Sequence, residues 1–459
     1  MLPATHRSTV AVLCRLLVLA GAFACAPAPP PNVVLVTLDT TRADHLGLYG
    51  YFRDTSPQLD AFAAGSIVYA HARAPMATTL PSHTSILTAR APLEHGVLAN
   101  LSHGGRRFAP AVGLRSFAEV CREAGWRTGA FVSAAPLERG SGLEAGFEIY
   151  HQPGEGFPQR RGEFTTNAAL RWLEGVKGEP FFLWVHYYDA HWPFDPPSGY
   201  ANLFEGGPEL EAWLAARRIP ESALRSGSGR EATRAVTDAY DAELRYQDAQ
   251  LGRLLDALAR RPDWGRTAVA IVGDHGEGLA QHGEAAHGGT WDEQLLVPLV
   301  LRVPGRAPER IDAPIAVADA LPTLVRALAV PALLPFLAQA AAPAEGAAVM
   351  SQDAGRLSGR PGYHLALSGP RFKYRRIDRG GGAFAEELYD LAGDPFELSN
   401  VAALHPAIVR ELAIDLDARL AAQARAAQEL RGGAPELSPE LDPELARRLE
   451  ALGYAEDTP

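Results

Sequence analysis

The sequence predicts an α/β fold with a mostly parallel central sheet flanked by helices, on two observations. Short valine-rich apolar runs recur along the chain, and patterns with one apolar helical face fill the gaps between them. The first run, "NVVLVTLD" at 32–39, is continuously apolar, as in a strand buried on both faces. Leu114, Phe117, Ala118 and Cys121 then share a helical face ahead of the second run, "TGAFVSA" at 128–134. "FFLWVHY" at 181–187 is the third. Leu244, Leu251, Leu255 and Leu258 line the next helical face, ahead of "TAVAIVGDH" at 267–275 and "VPLVLRV" at 297–303. These elements place the main domain at 32–336. "LAQAAAPAEGAAV" at 337–349 is low in complexity and reads as a linker or loop. Beyond it, "YHLALSGPRFKYRRID" reads as two strands about a turn, a small added sheet within 350–404. The tail, 405–459, is rich in Ala, Leu, Arg and Glu and reads as helical, broken by prolines.

The chain has 459 residues, 47% hydrophobic and 21% charged, ordinary proportions for a folded protein and enough for one large domain with a smaller companion. Its formal net charge of -11 argues against a nucleic-acid partner. An anionic substrate must then be held by local positive features: a metal, a helix end or histidines. At the start, His6 and Arg7 precede an apolar run that ends in Ala22-Phe23-Ala24. That pattern reads as a secretory signal over 1–24 and implies export, to the periplasm or beyond. Cys25 follows directly, so simple cleavage and a lipid-anchored cysteine both stay open; lipid on Cys25 is the one membrane attachment expected. The proline-rich 25–31 would form a stiff tether. Cys121 is then alone or nearly so, which excludes a disulfide framework and a cysteine zinc site.

Asp39 closes the first apolar run and Asp274-His275 the fourth. In open α/β sheets, ligands collect outside the carboxyl ends of the strands. Two acids and a histidine there make a candidate metal site, with the glycines of "GDHGEG" allowing close backbone approach. Taken singly, Asp39 could equally be a turn residue or a cap, and Asp274 a structural hydrogen-bond partner. Histidines add weight. Five of the 14 fall in two short loops: His186 and His191 in "HYYDAHWPF", and His275, His282 and His287 in "GDHGEGLAQHGEAAHGG". Histidines clustered beside acids bind metals or move protons.

In "ATTLPSHTSILTAR", at 77–90, Pro81 suits the first turn of a helix, and Ile86 and Leu87 supply an apolar side. Thr79 is expected just before that helix, where unpaired N–H groups and the positive dipole end favour an anion. The residues alone leave two roles open for it, an N-cap and a nucleophile at an anion site.

In this order and spacing the segments resemble the sulfatase family, within the alkaline phosphatase superfamily. "PNVVLVTLDTTRADHLGLYGY" resembles the family's first strand and metal loop. "TLPSHTSILTAR…EHGVLAN" fits the signature C/S-x-P-S-R-x-x-x-L-T-G-R and the following H-G-V without gaps. "HWPF" is similar to its H-x-P-F element and "GDHGEGLAQHGE" to its D-H-G loop; "ADALPTL" and "LYDLAGDPFELSNVA" resemble later segments. The resemblance implies an alkaline-phosphatase-like domain and a hydrolase of anionic esters. It implies Thr79 as nucleophile and one divalent metal held by Asp39, Thr79, Asp274 and His275. It sets Asn100 on the ester oxygens, with His83 and His282 as further candidates for substrate binding. His191 and His287 become the candidates to protonate the leaving oxygen and later activate water. Arg42 and Asp44 are expected to pair with each other.

The departures from the family pattern bear on one site. Thr79 stands where a sulfatase has the cysteine or serine that becomes formylglycine. The signature arginine is His83, the lysine of the D-H-G loop is His287, and the second aspartate of the first metal pair is Thr40. Hydrated formylglycine attacks sulfur with one hydroxyl and expels sulfate with the help of the other. A threonine ether has no second hydroxyl, whereas phosphothreonine is cleared by in-line attack of water at phosphorus. The expected substrate is therefore a phosphate ester, of the phosphodiester or phosphonate monoester type. The alternatives are a sulfatase lacking formylglycine and an inactive glycan-binding surface lipoprotein; the intact ligand set argues against the latter. Thr40 and His275 favour Mn²⁺ or Zn²⁺, with Ca²⁺ or Mg²⁺ as alternatives.

Overall fold

The computed structural model describes residues 29–100, 113–154, 159–219, 230–340, 347–353, 363–379 and 383–431. The expected signal segment, Cys25 and the tail beyond Arg431 lie outside these residues. The central strands are, in chain order, β1 (Asn32–Leu38), β2 (Ile67–Tyr69), β3 (Ala72–Arg73), β4 (Arg127–Phe131), β5 (Ile149–His151), β6 (Phe181–Tyr187) and β7 (Thr267–Gly273). They continue through β8 (Leu296–Val297), β9 (Leu299–Arg302), β10 (Glu309–Ile311) and β11 (Ile315–Ala316). Eight of them form one sheet in the order β10-β2-β9-β7-β1-β6-β4-β5, and β11-β3-β8 form a small second one. The main sheet is parallel except that β9 runs antiparallel to both β7 and β2. "VPLVLRV" thus holds the last residue of β8 and the whole of the reversed β9, in two different sheets, with Pro298 between them.

Alternation along β1 shows why its apolar run is unbroken. Val33 and Leu35 enter the core on one face, while Val34, Val36 and Leu38 enter the core on the other. Each face is covered by helices: Phe117–Glu123 packs Phe117, Ala118 and Cys121 on the first, and Arg230–Ala259 packs Leu244, Leu251, Leu255 and Leu258 on the second. Leu114 lies ahead of its helix. Covering both faces satisfies a parallel sheet and leaves its carboxyl edge for ligands. The register fixes what stands there. Leu38 pairs with Tyr187 on one side and Gly273 on the other, so Asp39 and Asp274 emerge side by side.

Four more strands, β12 (Val349–Gln352), β13 (His364–Ser368), β14 (Phe372–Asp378) and β15 (Phe384–Asp390), make an antiparallel sheet in chain order. The helix Pro406–Arg431 packs on it through Val409 and Leu416 against Leu365, Leu367, Tyr374 and Leu388. The segment expected as a linker begins in a helix, Leu334–Gln339, and ends at the first residue of Val349–Gln352, with 341–346 outside the described residues. No helix among the described residues is long and apolar enough to cross a membrane.

Candidate active site

Thr79 opens the helix Thr79–Thr88 rather than preceding it as the sequence suggests. Thr78 is the N-cap, extended at φ -153° and ψ 132°, and its side chain makes no capping bond. The N-terminal turn is held in other ways. Asn100 Oδ1 accepts the Leu80 N–H at 2.8 Å, and Ser82 Oγ donates to the Asp274 carbonyl at 2.6 Å, tying the turn to the end of β7. Asn100 is buried and its Nδ2 has no hydrogen-bond partner among the described residues. The helix ends on Ala89 at φ 56°, the left-handed position for which the family signature has glycine.

Opposite this turn, ligand atoms of Asp39, Asp274 and His275 lie within 4.8 Å of one another, and all three residues are fully buried. Asp274 Oδ1 accepts the backbone N–H groups of Thr40 (3.3 Å) and His275 (2.7 Å). Its Oδ2 and Asp39 Oδ1 have no hydrogen-bond partner. His275 Nδ1 donates to the Gly276 carbonyl at 2.9 Å, which leaves the Nε2 lone pair for the cluster, 3.4 Å from Thr79 Oγ1. Burial raises the pKa of both carboxyls, and the charge of Asp39 raises that of Asp274 further. Two carboxylate oxygens without hydrogen-bond partners, an imidazole lone pair and a hydroxyl, all buried, fit a divalent cation, and Asp39, Asp274, His275 and Thr79 are the groups that would hold it.

Supporting residues hold this geometry. Ser133 N–H donates to His186 Nδ1 at 3.3 Å, so His186 carries its proton on Nε2 and donates it to Asp39 Oδ2 at 3.1 Å. Burial pushes the His186 pKa down to about 3, keeping the ring neutral. Sequence reasoning counted His186 among the histidines but missed this role. Its signal is the in-register pairing of His186 with Thr37, two residues before Asp39. Thr40, at the position of the family's second aspartate, is left-handed at φ 47°, an uncommon conformation for a β-branched residue. Its hydroxyl donates to the Ala190 carbonyl at 2.6 Å and supplies nothing to the cluster. Gly276 is required because a Cβ there would lie 2.2 Å from the Glu293 carbonyl oxygen; the close approach is to backbone. Arg42 forms the expected pair with Asp44, two bonds of 2.9 Å, and the buried guanidinium also donates to Gln281.

Two residues expected to meet substrate are placed otherwise. His83 is fully buried beneath the turn, with Nδ1 on the Thr79 carbonyl (2.8 Å) and Nε2 on Thr37 Oγ1 (2.9 Å). Burial lowers its pKa well below the usual histidine range, so it is a neutral brace for the turn. His282 is stacked on Trp291 at 3.8 Å, with Nδ1 on Glu293 (2.9 Å) and Nε2 on the Glu397 carbonyl (3.2 Å), and is committed to scaffold. His191 and His287, by contrast, meet beside the cluster. Their Nδ1 atoms face the carbonyls of Trp192 and Ala77, and their Nε2 atoms stand 3.2 Å apart. Since each Nδ1 faces a carbonyl, both Nε2 atoms are left as acceptors, and a hydrogen bond between them would need one added proton. The His287 ring lies 4.3 Å from that of His275. His191 also borders a cavity of about 190 Å³ lined by Arg160, Arg161, Tyr188, Asp189 and Glu243.

This arrangement agrees with what the chain resembles. The sulfatase family model matches residues 31–330. Human iduronate 2-sulfatase is 27% identical over 334 residues, 60% of each chain, so this chain spans about 60% of that relative's length. The multifunctional alkaline phosphatase superfamily protein PehA of Trinickia caryophylli is 27% identical over 305 residues, 54% of this chain and 57% of that one. Among solved structures, the phosphonate monoester hydrolase of Agrobacterium radiobacter superposes with a TM-score of 0.68 at 24% identity, covering 86% of this chain and 96% of that one. With the family match extending from the first strand through the D-H-G loop to the helix Ala320–Leu328, the chain belongs to the sulfatase family.

Proposed function

We propose that the protein is a metal-dependent hydrolase that cleaves a phosphate ester through Thr79. The observation that carries this reading is the Thr79 hydroxyl, uninvolved in capping, at a helix N-terminus and 3.4 Å from the histidine of a two-carboxylate cluster. A divalent ion held by Asp39, Asp274, His275 and Thr79 would lower the hydroxyl pKa so that its proton is lost, and would neutralise charge on the ester oxygens.

Thr79 Oγ1 then attacks phosphorus in line, and the bond from phosphorus to the alcohol oxygen breaks. The N–H groups of the first helical turn and the unpaired Asn100 Nδ2 receive the negative charge that develops on the non-bridging oxygens. The proton held between His191 and His287 passes to the departing alcohol oxygen. The alcohol part lies in the cavity that His191 borders. In the second half, the now neutral histidine pair takes a proton from water as it attacks phosphorus, and Thr79 leaves. His83 and His186 take no part in proton transfer; they keep Thr79 and Asp39 in place.

Phosphorus is favoured over sulfur because threonine lacks the second hydroxyl that lets formylglycine hydrate expel sulfate by breaking its carbon–oxygen bond. The sulfatase reading is kept alive by relatives such as iduronate 2-sulfatase. Purified protein should be assayed on nitrophenyl phosphate, bis-nitrophenyl phosphate and nitrophenyl sulfate with Mn²⁺, Zn²⁺, Ca²⁺ and Mg²⁺ in turn. The proposal expects turnover of a phosphate ester with Mn²⁺ or Zn²⁺. Turnover of the sulfate alone would replace it with the sulfatase reading, and inertness toward all three would leave the fold without this chemistry.

A further inference from the structure

The C-terminal segment "LYDLAGDPFELSNVA" is not used by the chemistry above, yet one of its residues reaches the chain segment that follows His287. Glu397 is buried and left-handed at φ 54°, an arrangement a non-glycine residue keeps only when its surroundings enforce it. Its Oε2 accepts the Asp292 N–H at 2.6 Å, and its carbonyl faces His282 Nε2. Lys373, on β14 and fully buried, sets its ammonium 2.7 Å from both Glu397 Oε1 and Asp292 Oδ1. Arg73 completes the cluster with two bonds to Asp292. Beside it, Arg375 lies 3.4 Å over the Trp291 ring and donates to Thr290 Oγ1 at 3.1 Å. The C-terminal sheet therefore grips residues 290–293 at several points.

That grip bears on His287. Two glycines, Gly288 and Gly289, separate it from Thr290, and it belongs to no helix or strand. Its place depends on its anchors. One is the gripped segment 290–293, closed back on itself by the His282–Glu293 bond and the His282–Trp291 stack. The other is the Ala77 carbonyl that receives Nδ1–H. The chain leading to Ala77 is held by the same sheet: Ser351 Oγ donates to the Ala74 carbonyl at 2.7 Å and Gln352 N to the Pro75 carbonyl at 2.9 Å. Two of the contacts that hold His287 thus trace back to the C-terminal sheet, while Asp39, Asp274 and His275 are fixed by the central sheet.

We propose that the C-terminal sheet is the positioning device for proton delivery, with Lys373 and Glu397 as positioning residues that hold His287 against His191. This rests on reading His287 as part of the proton donor. A loosened His287 impairs departure of a poor leaving group, which needs the proton, and spares a nitrophenolate, which departs without one. A change that merely destabilised the fold would lower both rates alike.

The test compares nitrophenyl phosphate with methyl phosphate in Lys373→Gln, Arg375→Gln and His287→Ala, with Mn²⁺ affinity and melting temperature measured in parallel. Lys373→Gln should lower kcat/KM for methyl phosphate by about tenfold or more while nitrophenyl phosphate changes by less than about threefold, with Mn²⁺ affinity unchanged. Arg375→Gln leaves the charge cluster intact, so it serves if Lys373→Gln does not fold; it should show the same selectivity to a smaller degree. Equal losses on both esters, or none, in the Lys373 and Arg375 variants would overturn the proposal. If His287→Ala itself shows no selectivity, the assignment of His287 as proton donor has failed instead.

Discussion

Replacing Asp274 by asparagine should make the protein more stable than wild type without metal and less stable with it. The ligand atoms of Asp39, Asp274 and His275 lie within 4.8 Å of one another. Two carboxylate charges at that separation repel by about 3.5 kcal/mol at an effective dielectric constant of about 20. Burial is the main reason that both carboxyls have raised pKa values, and the charge of Asp39 raises that of Asp274 further. Asparagine removes one charge, and its Oδ1 can still accept from Thr40 and His275. In chelator, Asp274→Asn should therefore be more stable than wild type by about 1–3 kcal/mol, part of the repulsion having already been relieved by protonation. With Mn²⁺ the order reverses. Wild type at a thousandfold excess over Kd gains about 4.1 kcal/mol, and the variant, lacking a ligand, gains little. Urea denaturation of both proteins, with chelator and with Mn²⁺, gives all four stabilities. A chelated variant less stable than chelated wild type, or an equal gain from Mn²⁺ in both, would refute the reasoning.

Further outcomes can be measured independently. His186→Ala removes the donor that orients Asp39 and should weaken Mn²⁺ binding about 10–100-fold by calorimetry. Arg42→Met should cost about 3–5 kcal/mol in urea denaturation, because Asp44 and the carbonyl oxygens of the D-H-G loop lose a buried guanidinium. Burial, and secondarily the charge of Asp189, pushes the Glu243 pKa up to about 8. A raised folded pKa contributes stability that is full below the unfolded value and lost as pH rises through the folded one. The urea midpoint should therefore fall between about pH 5 and 9 in wild type, and fall less in Glu243→Gln.

The sequence is most legible where burial is complete. The unbroken run of β1 could be read as a strand with two buried faces, and two such runs ending in acids placed Asp39 and Asp274 together before any geometry was known. The family pattern made His191 and His287 the candidates for proton transfer; their Nε2 contact depends on the neighbouring Trp192 carbonyl and the distant Ala77 carbonyl, which spacing does not reveal. Local patterns misled where long-range contacts decide. Thr79 looked like a residue preceding a helix, but Asn100, twenty residues on in sequence, stabilises the turn and lets the helix begin one residue earlier. His83 and His282 looked like ligand-facing histidines because they lie in motif loops. One is used as a brace on Thr37 and the other on Glu397, partners that spacing does not reveal. The direction of β9 was hidden for a similar reason: an apolar run carries no sign of which way its strand points.

The central claim is that Thr79 carries the covalent bond. Quenching the protein during turnover of ³²P-labelled substrate, digesting it and sequencing the labelled peptide tests this directly. Thr78 has the same hydroxyl one residue away, but it is the extended N-cap, whereas Thr79 faces His275. The account predicts phosphate on Thr79 and none on Thr78, with the label absent and the rate reduced by several orders of magnitude in Thr79→Ala. Label on Thr78, or normal turnover by Thr79→Ala, would contradict it.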